Sequence, residues 1–173
     1  MYFLLNVGDD TKDFDQTVGR NILNSLDKET ADKVHISIVP LPLPYHISSH
    51  KILQAIMVVN EKKGNTVALE AFRFFMDNIP AWDEKRIMNL SISSFQQYIA
   101  QSIAEKFGID SAQLLAAVQH GSPEDGKVRK WAKYAMGAKK TPGTPYSFVN
   151  GVAVDNGTNL NLDEWKALIK SLV

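Results

Sequence analysis

The chain has 173 residues, of which 45% are apolar and 22% charged, a length that suits one compact domain with its own core. Lys and Arg together number 19, as do Asp and Glu, and this balance argues against a partner held by bulk electrostatics, such as nucleic acid. The sequence contains no cysteine, which excludes disulfides, thiolate metal sites and a cysteine nucleophile.

No apolar run reaches the roughly 18 residues that a membrane-spanning helix needs. Residues 1–7 are apolar but have no basic leading segment, which does not suit a signal peptide. We therefore predict a cytoplasmic or otherwise reducing location and no membrane partner.

The first forty residues predict a strand, a helix and a second strand. Residues 2–7 form a short apolar, aromatic-rich run that is typical of a buried strand. An apolar residue then recurs at every fourth position, as one face of a helix requires: Phe14, Val18, Ile22 and Leu26. Residues 34–38 alternate as a second strand does, and Pro40 is expected to end it. This order predicts two parallel strands joined by a right-handed crossover.

The middle of the chain shows helical periods alone, so we predict a helical insertion at about 46–137 within a single domain of residues 1–173. Ser122 followed by Pro123 is typical of a helix N-terminus. We expect Gly137 to stop this last helix of the insertion. Its predicted buried stripe is Val128, Trp131 and Ala135.

The C-terminal segment predicts a hairpin and a final helix. Two short apolar runs flank Asn150-Gly151, a two-residue loop whose left-handed backbone suits an antiparallel hairpin. Asn161, with Glu164 three residues later, forms a capping-box pattern at the start of the last helix. These signals are local, so each predicts its own element without reference to the rest of the chain.

The order βαβ, helical insertion, ββα is similar to that of DsbA-like proteins. Residues 143–152, Gly-Thr-Pro-Tyr-Ser-Phe-Val-Asn-Gly-Val, resemble the family's Gly-Thr-Pro-Thr-Phe-x-Val-Asn-Gly-Val stretch, which contains its cis-proline. Residues 42–46, Pro-Leu-Pro-Tyr-His, resemble a segment of one branch of that family. The resemblance covers essentially the whole chain. It implies an α/β class, a thioredoxin fold with a mixed four-stranded sheet, and a cis bond between Thr144 and Pro145.

The activity of that family depends on a Cys-x-x-Cys motif at the start of the first helix. The matching positions here are Asp13 and Gln16, so thiolate attack on a disulfide cannot occur. Two interpretations of this pair stay open. Asp13 and Gln16 form a capping box, or the helix N-terminus orients Asp13 towards a bound group.

The resemblance implies a redox-inactive protein that acts by binding. In thioredoxin-like proteins the backbone beside the cis-proline pairs with an extended substrate, and such pairing needs no thiol. We therefore predict a binding site for an extended peptide or protein partner at the surface formed by Asp13, Gln16, Thr144 and Pro145. No catalytic residue and no cofactor is predicted.

Two other interpretations stay open. One is a glutathione-dependent enzyme similar to kappa-class glutathione transferases, in which Thr11 or Thr17 would hold the glutathione thiolate. The other is assembly, since residues 34–39 would leave a sheet edge free to pair with a second copy in a homodimer.

Histidines and a cationic cluster complete the candidates. His46 and His50 are spaced to share a metal, but no third ligand accompanies them, so we predict no metal site. Several cations precede the proline loop: Lys127, Arg129, Lys130, Lys133, Lys139 and Lys140. They would suit an anionic ligand such as glutathione. We favour a solvated helix face, because Glu124 and Asp125 come just before them.

Overall fold

The computed structural model describes residues 1–5, 9–43, 46–82, 84–138, 140–141 and 143–173. Its α-helices are α1 (Asp9–Phe14), α2 (Ile22–Ser25), α3 (Lys28–Lys33), α4 (Ile47–Lys63), α5 (Asn65–Asp77), α6 (Glu84–Ile87), α7 (Ile92–Phe107), α8 (Ser111–Ala117), α9 (Pro123–Lys133) and α10 (Leu162–Lys170). Two π-helical segments, Asp15–Gly19 and Tyr134–Ala138, and two 3₁₀ turns, Ile79–Ala81 and Gly157–Asn159, add to them. The strands are β1 (Tyr2–Leu5), β2 (Ser37–Pro40), β3 (Tyr146–Val149) and β4 (Val152–Ala153).

Backbone pairing places the short strands in the order β2-β1-β3-β4. β1 runs parallel to β2 and antiparallel to β3, and β3 and β4 form the hairpin predicted at Asn150-Gly151. Both loop residues have positive φ, 50° and 85°, which confirms the predicted turn. Val34 follows the last residue of α3 and does not begin a strand. The edge strand predicted at residues 34–39 is therefore the shorter β2, Ser37–Pro40.

The predicted fold class is wrong. We expected an α/β protein, a thioredoxin fold organised around a mixed four-stranded sheet, but about two-thirds of the residues are helical and no described strand exceeds four residues. In the described chain, the buried residues of the main core all come from helices or from residues that flank them, whereas Ile38 and Val149 of the strands pack against it half-buried. Contacts between helices therefore bury most of the core.

The segment predicted as one helix after β1 is divided into α1, a π-helical segment and α2. Its predicted apolar face is nevertheless buried at all four positions: Phe14, Val18, Ile22 and Leu26. In a regular α-helix, residues four apart rotate by about 40° around the axis at each step. The wider turn of the π-helical segment offsets part of this rotation, so residues spaced by four stay on the same side.

In the helical region between β2 and β3, the last helix, α9, follows the sequence prediction only in part. Ser122 caps α9 through Asp125 N–H at 3.1 Å, as predicted. The α-helix then ends at Lys133, and a π-helical segment continues through Gly137, so glycine does not stop the helix as expected. The prediction that Trp131 is buried is also wrong, since 43% of it is exposed.

Where the structure describes the chain, no helix is long and apolar enough to cross a membrane.

A buried carboxylate ties the π-helical segment Asp15–Gly19 to α5. The side chain of Asp15 is fully buried and accepts hydrogen bonds from Arg20 Nε at 2.6 Å and Arg73 Nη2 at 3.1 Å. Arg20 Nη2 also donates to Asp77 Oδ1 at 2.7 Å. Because a buried charge is stable only when it is paired and hydrogen-bonded, the two arginines hold this carboxylate in one position.

Gly19 faces that carboxylate, since a Cβ added at Gly19 would lie 2.6 Å from Asp15 Oδ1. We predict that Gly19→Ala lowers the free energy of unfolding by about 1–3 kcal/mol, the usual cost of overpacking, because Asp15 cannot rotate away from its arginines. Urea denaturation measures the change. The control is Gly126→Ala in α9, where nothing lies within 4 Å of the added Cβ and a gain of about 0.5–1 kcal/mol is expected. A Gly19→Ala protein as stable as the parent would show that Asp15 is not fixed.

Candidate functional site

The structure places the two positions that match the family cysteines on the protein surface but away from a helix start. Asp13 and Gln16 are both exposed. Asp13 lies in the last turn of α1, which begins at Asp9, and Gln16 lies in the π-helical segment that follows. The predicted capping box is therefore wrong, and the N-terminus of α1 does not orient Asp13. The carbonyl of Asp13 instead accepts a hydrogen bond from Thr17 Oγ1 at 2.7 Å.

The peptide bond between Thr144 and Pro145 is cis, as predicted. Both residues are half-buried and come just before β3. Within the described residues, no hydrogen bond or ion pair joins them to Asp13 or Gln16. The structure thus describes all four residues of the predicted binding surface. Within the described residues, no polar contact links Asp13 and Gln16 to Thr144 and Pro145.

Pairing along β3 stops before it reaches Pro145. On the side of β4, Phe148 and Val149 have β-partners, and a last hydrogen bond runs from Val154 N to Ser147 O at 3.0 Å. In the described chain, no pairing on that side extends to Tyr146 or Pro145. Within the described residues, the start of β3 is therefore paired with β1 on one side, whereas its edge on the side of β4 is open next to Pro145.

The threonines proposed for a glutathione-dependent enzyme do not offer hydroxyls to a ligand. Thr11 is 1% exposed. Thr17 is exposed, but its Oγ1 donates to the carbonyl of Asp13 in the preceding turn. Neither residue supports the predicted role in holding a thiolate.

A pocket of about 530 Å³ lies between the segment that follows β2 and the C-terminal half of α9. We call it the α4–α9 pocket. Apolar and basic side chains line it: Pro42, Leu43, His46, His50, Arg129, Ala132, Lys133 and Met136. Its volume falls in the range of about 300–1,000 Å³ that is usual for small-molecule sites.

The carboxylate of Asp125 lies behind the wall of this pocket and is almost fully buried. Oδ2 accepts hydrogen bonds from Arg129 Nε at 3.0 Å and from the backbone N–H of Gly121 at 3.1 Å. Oδ1 lies 2.6 Å from His50 Nε2. Burial alone would raise the pKa of Asp125, but the hydrogen bonds from Arg129, Gly121 and His50 hold it well below its usual range.

Burial favours the neutral imidazole of His50 over its charged form. Burial is the largest influence and lowers the pKa of His50, although the hydrogen bond and charge of Asp125 act in the opposite direction. A carboxylate can only accept hydrogen bonds, so His50 Nε2 carries a proton and donates it to Asp125 Oδ1. Asp125 therefore sets both the orientation and the tautomer of a histidine that lines the pocket.

Sequence reasoning treated these groups separately. It assigned Arg129 and Lys133 to a solvated helix face, and it weighed His46 and His50 as metal ligands. Arg129 and Lys133 are four positions apart, and so are His46 and His50. This spacing places the two members of a pair next to each other on one helical surface. It is the signal that could have indicated a shared site. Among the described residues, no group of three His, Cys, Asp or Glu could hold a metal ion.

Some of the predicted features fall outside the described residues. These are residues 6 and 7 of the first predicted strand, Pro44 and Tyr45 of the Pro-Leu-Pro-Tyr-His segment and Lys139 of the cationic cluster. The chain matches no protein-family model, and no curated protein is significantly similar to it. Its resemblance to DsbA-like proteins therefore stays a prediction, and function has to be argued from the geometry.

We predict that Asp125→Asn lowers the free energy of unfolding by about 2–4 kcal/mol, because it weakens the bonds from three donors around a buried charge. The pKa of His50, followed by NMR, should fall further, since the Asp125 charge raises it. The matched control is Asp163→Asn in the first turn of α10. Asp163 is 88% exposed, so the change should stay within about 0.5 kcal/mol. An unaltered His50 titration in Asp125→Asn would contradict the coupling.

Proposed function

We propose that this protein is a redox-inactive relative of DsbA-like proteins that binds an extended peptide segment beside Pro145. The open edge at the start of β3 supports this proposal, because an unpaired strand edge binds an extended chain through main-chain hydrogen bonds. The absence of cysteine removes thiol–disulfide exchange by the protein's own residues. Binding is then the function that this edge can perform.

The side chains around the edge add specificity to main-chain pairing. The ring of Tyr146 is half-buried and packs on Phe148 with the ring centroids 5.2 Å apart, so it offers an apolar surface beside the edge. The family positions of Asp13 and Gln16 extend the proposal to these two exposed residues, which would contribute an anionic group and an amide to the same partner. A basic side chain in the peptide would complement Asp13.

The experiment starts from peptides selected out of a short random library on the purified protein. We expect that methylating the amides at alternate positions of a selected peptide abolishes binding for one set of positions and leaves it nearly unchanged for the other. The reason is that successive N–H groups of a strand point to opposite sides. Isothermal titration calorimetry measures both peptides. Equal losses for the two sets would contradict pairing through a strand edge.

NMR locates the bound peptide on the protein. The largest amide shifts should occur at Thr144, Tyr146 and Ser147, whereas shifts confined to Ala153 would place the peptide on β4 and overturn the site. For a lysine-containing peptide, Asp13→Asn should weaken binding. Asp10→Asn, which removes an exposed acid from the same helix, is the matched control and should leave binding unchanged. Equal effects of the two substitutions would remove Asp13 from the site.

A further inference from the structure

We propose that the α4–α9 pocket binds an aliphatic monocarboxylate, with the carboxylate at its basic rim and the chain on its apolar floor. This site is separate from the strand edge beside Pro145 and does not depend on peptide binding. The argument rests on the shape of the floor, the charge of the rim and the number of donors that the rim can supply.

The floor of the pocket continues a hydrophobic cluster. Leu43 lines the pocket and is 5% exposed, and it belongs to a cluster of buried residues with Leu41, Ala135 and Phe148. Met136 also lines the pocket but is 40% exposed. An aliphatic chain laid across this floor would cover the Met136 side chain and remove further apolar surface from water.

The rim favours a negative charge. Lys133 is exposed and, among the described residues, makes no hydrogen bond or ion pair. Arg129 lies one turn earlier on the same helix, and its Nε is bound to Asp125. No carboxylate lines the pocket in the described chain, so an anion placed between these two cations meets no like charge at the rim.

The donors at the rim suit one carboxylate better than a larger anion. Lys133 supplies the unpaired ammonium, whereas the guanidinium of Arg129 already shares its charge with Asp125. The lining joins the C-terminal half of α9 to His46 and His50 at the start of α4, so within the described chain Lys133 is the lining cation that is free to pair with an anion. Glutathione is polar along its length and would leave the apolar floor without a matching surface.

The experiment is calorimetric titration with octanoate, alongside octanol and glutathione. We expect octanoate to bind, octanol to bind more weakly because it lacks the charge, and glutathione not to compete. Lys133→Gln should weaken octanoate binding by about tenfold or more, which is typical of losing a charge-assisted hydrogen bond. Lys130→Gln removes an exposed lysine of α9 that does not line the pocket, and it should leave binding unchanged.

A second pair of variants tests the floor. Met136→Glu places a negative charge among the lining residues and should abolish octanoate binding. Met88→Glu alters a methionine that is 75% exposed and lies outside the pocket lining, so binding should be retained. Any one of four results would overturn the proposal. Octanol could bind as tightly as octanoate, or the two lysine variants could have equal effects. Glutathione could displace octanoate, or octanoate could give no heat below its micellar concentration. None of these results bears on the peptide edge, which the methylated peptides test separately.

Discussion

The burial of the Asp125 carboxylate fixes the relative position of the two helices that form the candidate pocket. His50 on α4, the backbone of Gly121 and Arg129 on α9 all contact this one group. Because a buried charge is costly unless its oxygens are satisfied, the three donors cannot separate without leaving it unpaired. His50 and Arg129 are therefore held at the pocket wall instead of extending into solvent.

Buried amides continue this arrangement along α4. Gln54, one turn beyond His50, donates from Nε2 to the carbonyl of Ala117 at 2.9 Å and to that of Gln119 at 3.0 Å. Gln96 on α7 donates to the carbonyl of Val118 at 3.0 Å. These bonds satisfy the carbonyl of Ala117 at the end of α8 and those of the two residues that follow it. The connection from α8 to α9 is thus attached to α4 through His50 and Gln54, and the position of the pocket wall depends on both.

The two proposed binding surfaces share one support. Leu43 lines the pocket, and Phe148 belongs to β3, whose start has no described partner on the side of β4. Both nevertheless lie in the same small hydrophobic cluster with Leu41 and Ala135. That cluster lies apart from the main core, which is built between helices. A protein with no thiol can use both surfaces, because main-chain pairing and ion pairing with a carboxylate need only backbone groups, a cation and an apolar floor.

The sequence by itself determined the features that depend on neighbouring residues. It excluded cysteine chemistry, and it identified the hairpin at Asn150-Gly151 and the caps at Ser122 and Asn161, because turns and caps are decided within a few positions. Only the tertiary structure decided which charges meet. Asp125 and His50 are 75 positions apart, and Asp15 and Arg73 are 58 apart. Periodicity reports which face of an element is apolar but not what that face meets, so both pairings stayed hidden. For the same reason it could not show that helices, and not the short strands, enclose the main core.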